Sequence, residues 1–65
     1  DTNLKTKRKQ VGLSQSELAK ISGIPVRTIQ QYEQRQKNIN KAQVEYLFKL
    51  SNALGCSVEC LMEKV

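Results

Sequence analysis

Apolar residues recur along this chain every three to four positions, which is the spacing of an amphipathic helix. Five such stretches are separated by breaks at Gly12, at 23–25, at 36–40 and at Gly55. No segment alternates apolar and polar residues over a useful length, so strands are not expected. The pattern predicts an all-α fold of five helices. The 65 residues make a single domain, spanning residues 1–65.

Three of the predicted helix starts carry a hydrophobic staple, an apolar residue before the start that packs on another five positions later. The pairs are Leu13 with Leu18, Ile24 with Ile29, and Cys56 with Leu61. The staple gives Cys56 a structural role, and Cys60 follows four residues later. We interpret both cysteines as packed side chains in a reducing, cytoplasmic setting. Two thiols without histidine do not complete a zinc site, so no metal or other cofactor is expected.

The second and third helices have the sharpest boundary signals. Ser14 and Glu17 match a Ser-x-x-Glu capping box at the start of the second helix, and Gly23 ends that helix. Pro25 starts the third helix, because the ring nitrogen of proline has no hydrogen to donate and the first turn needs none. This helix extends to about Gln34. Two helices joined by so few residues cross at a steep angle and form a helix-turn-helix.

The first helix is expected over Asn3–Val11, with Leu4, Arg8 and Val11 on its inner side. A buried charge there needs a partner, since an unpaired one is costly. Glu33, near the buried edge of the third helix, is the natural partner. We predict a structural ion pair between Arg8 and Glu33, and the alternative is that Arg8 reaches a phosphate.

The fourth helix is predicted to start after Asn40, where Gln43 completes an Asn-x-x-Gln capping box, and to end at Leu54. Apolar residues surround much of its circumference, which is typical of a central helix. They are Val44, Leu47, Phe48, Leu50, Ala53 and Leu54. Ser57 is expected to cap a short last helix.

The formal charge of +5 favours a polyanion as partner, although solubility alone also accounts for it. The third helix places Arg27, Gln30, Gln31 and Gln34 away from its apolar side. Arginine can bridge guanine O6 and N7, glutamine can bridge adenine N6 and N7, and Val26 could touch a thymine methyl group. We interpret this face as reading DNA bases, and the alternative is a solvated face rich in glutamine.

The chain resembles the phage repressor/Cro-type helix-turn-helix family, also called lambda-repressor-like or XRE, in two stretches. They are Arg8…Gly12-Leu13-Ser14-Gln15-x-x-Leu18-Ala19-x-x-x-Gly23-Ile24-x-x-x-x-Ile29-x-x-Tyr32-Glu33 and Leu47-x-x-Leu50-x-x-Ala53-Leu54-Gly55-Cys56-Ser57-x-x-x-Leu61. The resemblance covers nearly the whole chain. It implies a compact five-helix domain, a transcriptional regulator whose third helix enters the major groove of double-stranded DNA. Such domains usually bind pseudo-palindromes as homodimers.

The resemblance also assigns site residues by position. Bases would be read by Val26, Arg27 and Gln31, with Gln30 as their neighbour. DNA phosphates would be contacted by Ser14 and Gln15 at the second helix, and by Arg35, Lys37 and Asn38 in the loop after the third. Apart from the resemblance, surface left over from core packing, especially Tyr46 and Met62, could serve a dimer contact.

The chain departs from the family pattern at three places. Arg35 stands where a glycine is common, so the loop is expected to leave the third helix without a left-handed residue. Ser22 replaces an apolar residue, so Ile21 is expected to carry more of the packing. The connection from Lys37 to Gln43 is long, which predicts an extra turn at the front of the fourth helix.

Two rival functions use the same features. One is a protein-interaction module on this scaffold, such as an antitoxin or anti-repressor component. The other is a basic surface that binds RNA or membranes without specificity. An enzyme is not expected, because the chain has no histidine, no glycine-rich phosphate loop and no convergent acid pair, and no apolar run is long enough to span a membrane.

Overall fold

The structure, a computed structural model, describes residues 2–63, and within them the chain forms four α-helices and two short 3-10 helices. The α-helices are α1 (Asn3–Val11), α2 (Gln15–Ser22), α3 (Val26–Glu33) and α4 (Val44–Leu54). The 3-10 helices cover Ile39–Lys41 and Val58–Leu61. The all-α prediction is confirmed, with α2 and α3 as the helix-turn-helix. The predicted last helix is the second of the 3-10 helices.

The capping box that the sequence predicts at α2 is formed in full. The Ser14 hydroxyl accepts the Glu17 N–H at 3.0 Å, and the Glu17 carboxylate accepts the Ser14 N–H at 2.9 Å. Hydrogen bonding of the Glu17 carboxylate, first to the Ser14 backbone N–H and then to the Ser14 side chain, lowers the pKa of Glu17 below its ordinary value of 4.5. The glycines Gly12 and Gly23 end α1 and α2 with φ of 85° and 75°, as predicted. Pro25 precedes α3 as its N-cap residue, one position before the predicted role.

The core is built from apolar side chains of every helix. They are Leu4, Leu18, Ile24, Ile29, Tyr32, Ile39, Leu47, Leu50, Leu54 and Leu61. All six residues of the predicted staples lie in this core or pack against it. Burial of these side chains is the main stabilising contribution in so small a domain.

The helix α4, predicted to be central because apolar residues surround much of its circumference, is buried on one side only. Its inner stripe consists of Leu47, Leu50, Ser51 and Leu54. In contrast, 65% of Val44 and 56% of Phe48 are exposed. These two residues stand one turn apart on the outer side, because a domain of this size covers only one side of its longest helix. Val11, predicted on the inner side of α1, is likewise 45% exposed.

The expectation that Ile21 carries more of the packing because Ser22 is polar is also wrong. Ser22 is buried, whereas 60% of Ile21 is exposed. The Ser22 hydroxyl donates to the Leu18 carbonyl at 2.7 Å and accepts the Ile24 N–H at 3.3 Å. These two bonds satisfy the hydroxyl, so a serine fits this buried position at little cost.

The connection between α3 and α4 differs from the prediction. Gln43 is the N-cap residue of α4 and makes no side-chain capping bond, so the predicted Asn40–Gln43 capping box is absent. The extra turn exists as the separate 3-10 helix, capped by the Asn38 side chain. Asn40 instead pairs reciprocally with the backbone of Glu63, at 2.7 and 2.8 Å. A partner 23 residues away left no local signal in the sequence.

Candidate nucleic-acid interface

The helix α3 has one buried face and one free face. Ile29, Tyr32 and Glu33 are at most 8% exposed. Val26, Arg27 and Gln30 are exposed on the other face, and Gln31 is partly so. The four predicted base-reading side chains therefore share the free side of a helix whose other side is buried in the core. An α-helix with its side chains is about 10–12 Å across, which the major groove of about 12 Å admits.

A buried ion pair locks α3 to α1. Arg8 Nε lies 2.7 Å from Glu33 Oε2, and Nη2 donates to Oε1 at 3.1 Å. The remaining amino group of the guanidinium, Nη1, donates to the Leu13 carbonyl at 2.8 Å. A two-pronged contact of this kind fixes both side chains in direction as well as in distance. It ties α1, the start of α2 and α3 into one unit.

Gln15, at the first position of α2, connects this ion pair to the free face of α3. Its Nε2 donates to Glu33 Oε1 at 3.0 Å, and its Oε1 accepts from Gln30 Nε2 at 3.4 Å. The side chain predicted to contact a phosphate thus stands between the ion pair and a predicted base reader. The sequence showed no sign of these contacts, because Gln15 lies 15 residues before Gln30 and 18 before Glu33.

The other predicted phosphate residues lie at both ends of the helix-turn-helix. Ser14 is exposed beside Gln15 at the α2 N-terminus, where backbone N–H groups favour an anion. Arg35, Lys37 and Asn38 follow α3 and are also exposed. Arg35 has φ of 60°, so the left-handed conformation that we expected the loop to lack is present at the arginine itself.

A surface cleft of about 430 Å³ separates α3 from the front of α4. It is lined by Thr28, Tyr32, Lys37, Asn38, Lys41, Ala42, Gln43 and Tyr46. Burial, and to a smaller extent the neighbouring Tyr46, raise the pKa of the Tyr32 phenol. Lysine ammonium groups and phenol hydroxyls can donate to a phosphate oxygen. The sequence did not single out Thr28 or Lys41, and it indicated Tyr46 only as a possible dimer contact. The charge of Lys41 is the one signal that could have drawn attention to this cleft.

A smaller cleft of about 330 Å³ opens beside the first and includes Arg35 and Glu63 among its lining residues. Arg35 Nη2 lies 3.5 Å from Glu63 Oε1, and the Glu63 carboxylate also accepts the Asn3 N–H at 2.8 Å. This pair leaves 66% of the Arg35 side chain exposed. The arginine is therefore held beside the loop while staying open to a further anionic partner.

The residues that the structure describes offer no other obvious chemistry. No group of three or more metal-binding side chains occurs among residues 2–63. Within the same range, no helix is long and apolar enough to cross a membrane. Cys56 is partly buried and Cys60 exposed, and both thiols are free.

Comparison with protein families matches residues 4–59 to the helix-turn-helix model HTH_3. The match spans most of the 65-residue chain, and it includes the capped α2, the turn at Gly23, α3 and α4. The chain therefore belongs to the XRE, or lambda-repressor-like, helix-turn-helix family. This is a family of DNA-binding transcription regulators and is not typically enzymatic. Comparisons with curated proteins and with solved structures return no match.

Proposed function

We propose that this domain is a sequence-specific regulator of the repressor/Cro type, in which α3 lies in the major groove of double-stranded DNA. The observation that supports it best is the division of α3 into a buried face and an exposed polar face. Arg27, Gln30 and Gln31 carry the donors and acceptors that distinguish base edges. Val26 adds an apolar contact suited to a thymine methyl group.

In this proposal the phosphate contacts lie on either side of α3. The α2 N-terminus with Ser14 and Gln15 meets one backbone, and the loop with Arg35, Lys37 and Asn38 meets the other. The cleft beside the loop adds Lys41, and the net charge of +5 supports attraction to DNA as a whole. Two copies on a pseudo-palindromic site would place their α3 helices about 34 Å apart.

Selection of bound duplexes from a random DNA pool tests this function. We expect a motif with inverted half-sites. An Arg27→Ala variant should lose preference at one base position, with a cost of about 1–3 kcal/mol on the preferred sequence.

An Arg35→Ala variant is the matched control, since it removes the same charge from a predicted phosphate contact. It should weaken binding to all sequences alike and reduce the salt dependence. If the pool yields no enriched motif, the specific function is refuted. If binding is also insensitive to salt, a protein-interaction module becomes the better description.

A further inference from the structure

Gln30, a proposed base reader on the free face of α3, is connected through Gln15 to the buried ion pair between Arg8 and Glu33. Glu33 has only 2% of its side chain exposed, and Arg8 holds both of its carboxylate oxygens. Gln15 donates to one of those oxygens at 3.0 Å and accepts from Gln30 at 3.4 Å. The three contacts form a chain from a buried charge to a side chain on the proposed DNA-binding face of α3.

The direction of each amide in this chain follows from its chemistry. A carboxylate paired with a guanidinium only accepts hydrogen bonds, so Gln15 must turn its NH₂ group towards Glu33. Its carbonyl oxygen then faces Gln30. Only a donor can meet that oxygen favourably, so Gln30 must turn its own NH₂ group towards Gln15.

We propose that Gln15 is a positioning residue that sets the base specificity of Gln30, so that Gln30 selects adenine. With one N–H used on Gln15, the amide of Gln30 keeps its oxygen and its second N–H for the groove. That edge is complementary to adenine, which offers the N6 donor and the N7 acceptor. The inference rests on the proposed function and deepens it.

The same chain of contacts lowers the affinity of Gln30 for guanine and thymine. Guanine presents two acceptors in the major groove, and thymine presents one acceptor and a methyl group. An unrestrained glutamine can turn both of its N–H groups towards such acceptors. Here that turn would bring the oxygen of Gln30 against the oxygen of Gln15, two acceptors without a hydrogen between them. Gln15 therefore excludes wrong bases through Gln30 and need not touch any base itself.

The test compares the intact protein with its Gln15→Leu variant on four duplexes. The duplexes differ only at the base pair whose preference is lost in a Gln30→Ala variant. The wild-type protein should prefer adenine there by about five- to 150-fold, the range of one good bidentate contact. Gln15→Leu should lose most of this preference, because its affinity for guanine or thymine rises relative to that for adenine. The preference at the base position assigned to Arg27 should not change.

A Gln10→Leu variant is the matched control, since it makes the same chemical change at an exposed position on α1. It should leave all four relative affinities unchanged. In the double variant Gln15→Leu/Gln30→Ala, the second substitution should have little further effect on base preference, because coupled residues are not additive.

Three results would overturn the inference. One is that Gln15→Leu weakens all four duplexes equally and keeps the adenine preference, which would make Gln15 a phosphate contact only. Another is that the selected base is guanine or thymine. A third is that no base preference depends on Gln30, although the wild-type protein selects a motif. In all three cases the proposed function stands, whereas failure of the wild-type protein to select any motif would refute that function itself.

Discussion

Arg35 stands where α3 gives way to the loop, and it combines an unfavourable backbone conformation with a useful charge. Its φ of 60° costs a side chain with a Cβ atom roughly 1 kcal/mol or more relative to a right-handed conformation. The ion pair with Glu63 offsets little of this, because the arginine side chain is 66% exposed. A glycine would relieve the backbone, so an arginine at this position is consistent with a role in binding.

Arg35→Gly should therefore separate stability from binding. We expect the free energy of unfolding to stay equal or rise by up to about 1 kcal/mol, since glycine tolerates the left-handed region but adds disorder to the unfolded chain. The affinity for DNA should fall, and the slope of log affinity against log salt should decrease by about one. Urea denaturation and binding titrations at several salt concentrations measure these two effects.

Arg35→Ala is the control for this pair of measurements, because it removes the same charge but keeps the strained backbone. It should lose DNA affinity as Arg35→Gly does, yet be less stable than the glycine variant by about 1 kcal/mol. Equal stability of the two variants would contradict the strain, and an unchanged salt slope would contradict the phosphate contact.

At the level of the elements, the Arg8–Glu33 contact decides how α1 is held against α3. Each charge is nearly buried, and each is satisfied mainly by the other. Removing one partner leaves the other buried and unpaired, which is far more costly than the net contribution of the pair. The contact therefore fixes the position of α3 relative to both α1 and the start of α2.

Arg8→Ala and Glu33→Ala should each lower the free energy of unfolding, by about 3–5 kcal/mol. The double variant should lose less than the sum of the two, because no unpaired charge remains. Lys49→Ala is the control, since Lys49 pairs with Glu45 at 3.1 Å on the exposed side of α4 and should change stability by less than about 0.5 kcal/mol. Thermal and urea unfolding of the wild type and the four variants measure these effects. Unchanged melting of both Arg8→Ala and Glu33→Ala would refute the structural role.

The features that could be predicted from sequence are those with local causes. The ends of α1 and α2, the capping box at Ser14 and the staples depend on residues within five positions of each other. The start of α4 was misplaced because Asn40 bonds to Glu63 rather than to its neighbours. Periodicity likewise could not show that Phe48 is exposed, because an apolar residue at helical spacing looks the same on either side of a helix.

In the candidate site, too, the features with local causes could be predicted from sequence and those set by tertiary contacts could not. The residue types on the free face of α3 follow from its periodicity, so the base readers could be proposed from sequence alone. The bridge from Glu33 through Gln15 to Gln30 could not, since it depends on the angle at which α2 crosses α3. The cleft containing Lys41 and Tyr46 was missed for a related reason, because the path of a long connection is set by tertiary contacts.

At the level of the whole molecule, size limits how two copies can meet on DNA. The described Cα framework measures 27 × 23 × 21 Å. Recognition helices in successive major grooves of one DNA face lie about 34 Å apart. Domains of this size fit that spacing with only a narrow contact between them, well below the area of a standard interface. A homodimer of this domain should therefore be weak in free solution and form mainly on DNA.

This geometry predicts cooperative binding that depends on half-site spacing. On a duplex with two inverted half-sites at the selected spacing, we expect the first copy to increase the affinity for the second, because both lie on one face and touch. Inserting about five base pairs turns one half-site by roughly half a helical turn, to the opposite face, and should abolish the cooperativity. The affinity for each separate half-site should not change, since α3 and its phosphate contacts remain intact.

A duplex with one half-site scrambled provides that single-site affinity in the same titration. Cooperativity that survives the insertion would contradict direct contact between adjacent copies, and independent binding at the selected spacing would show that the domain acts on DNA as a monomer.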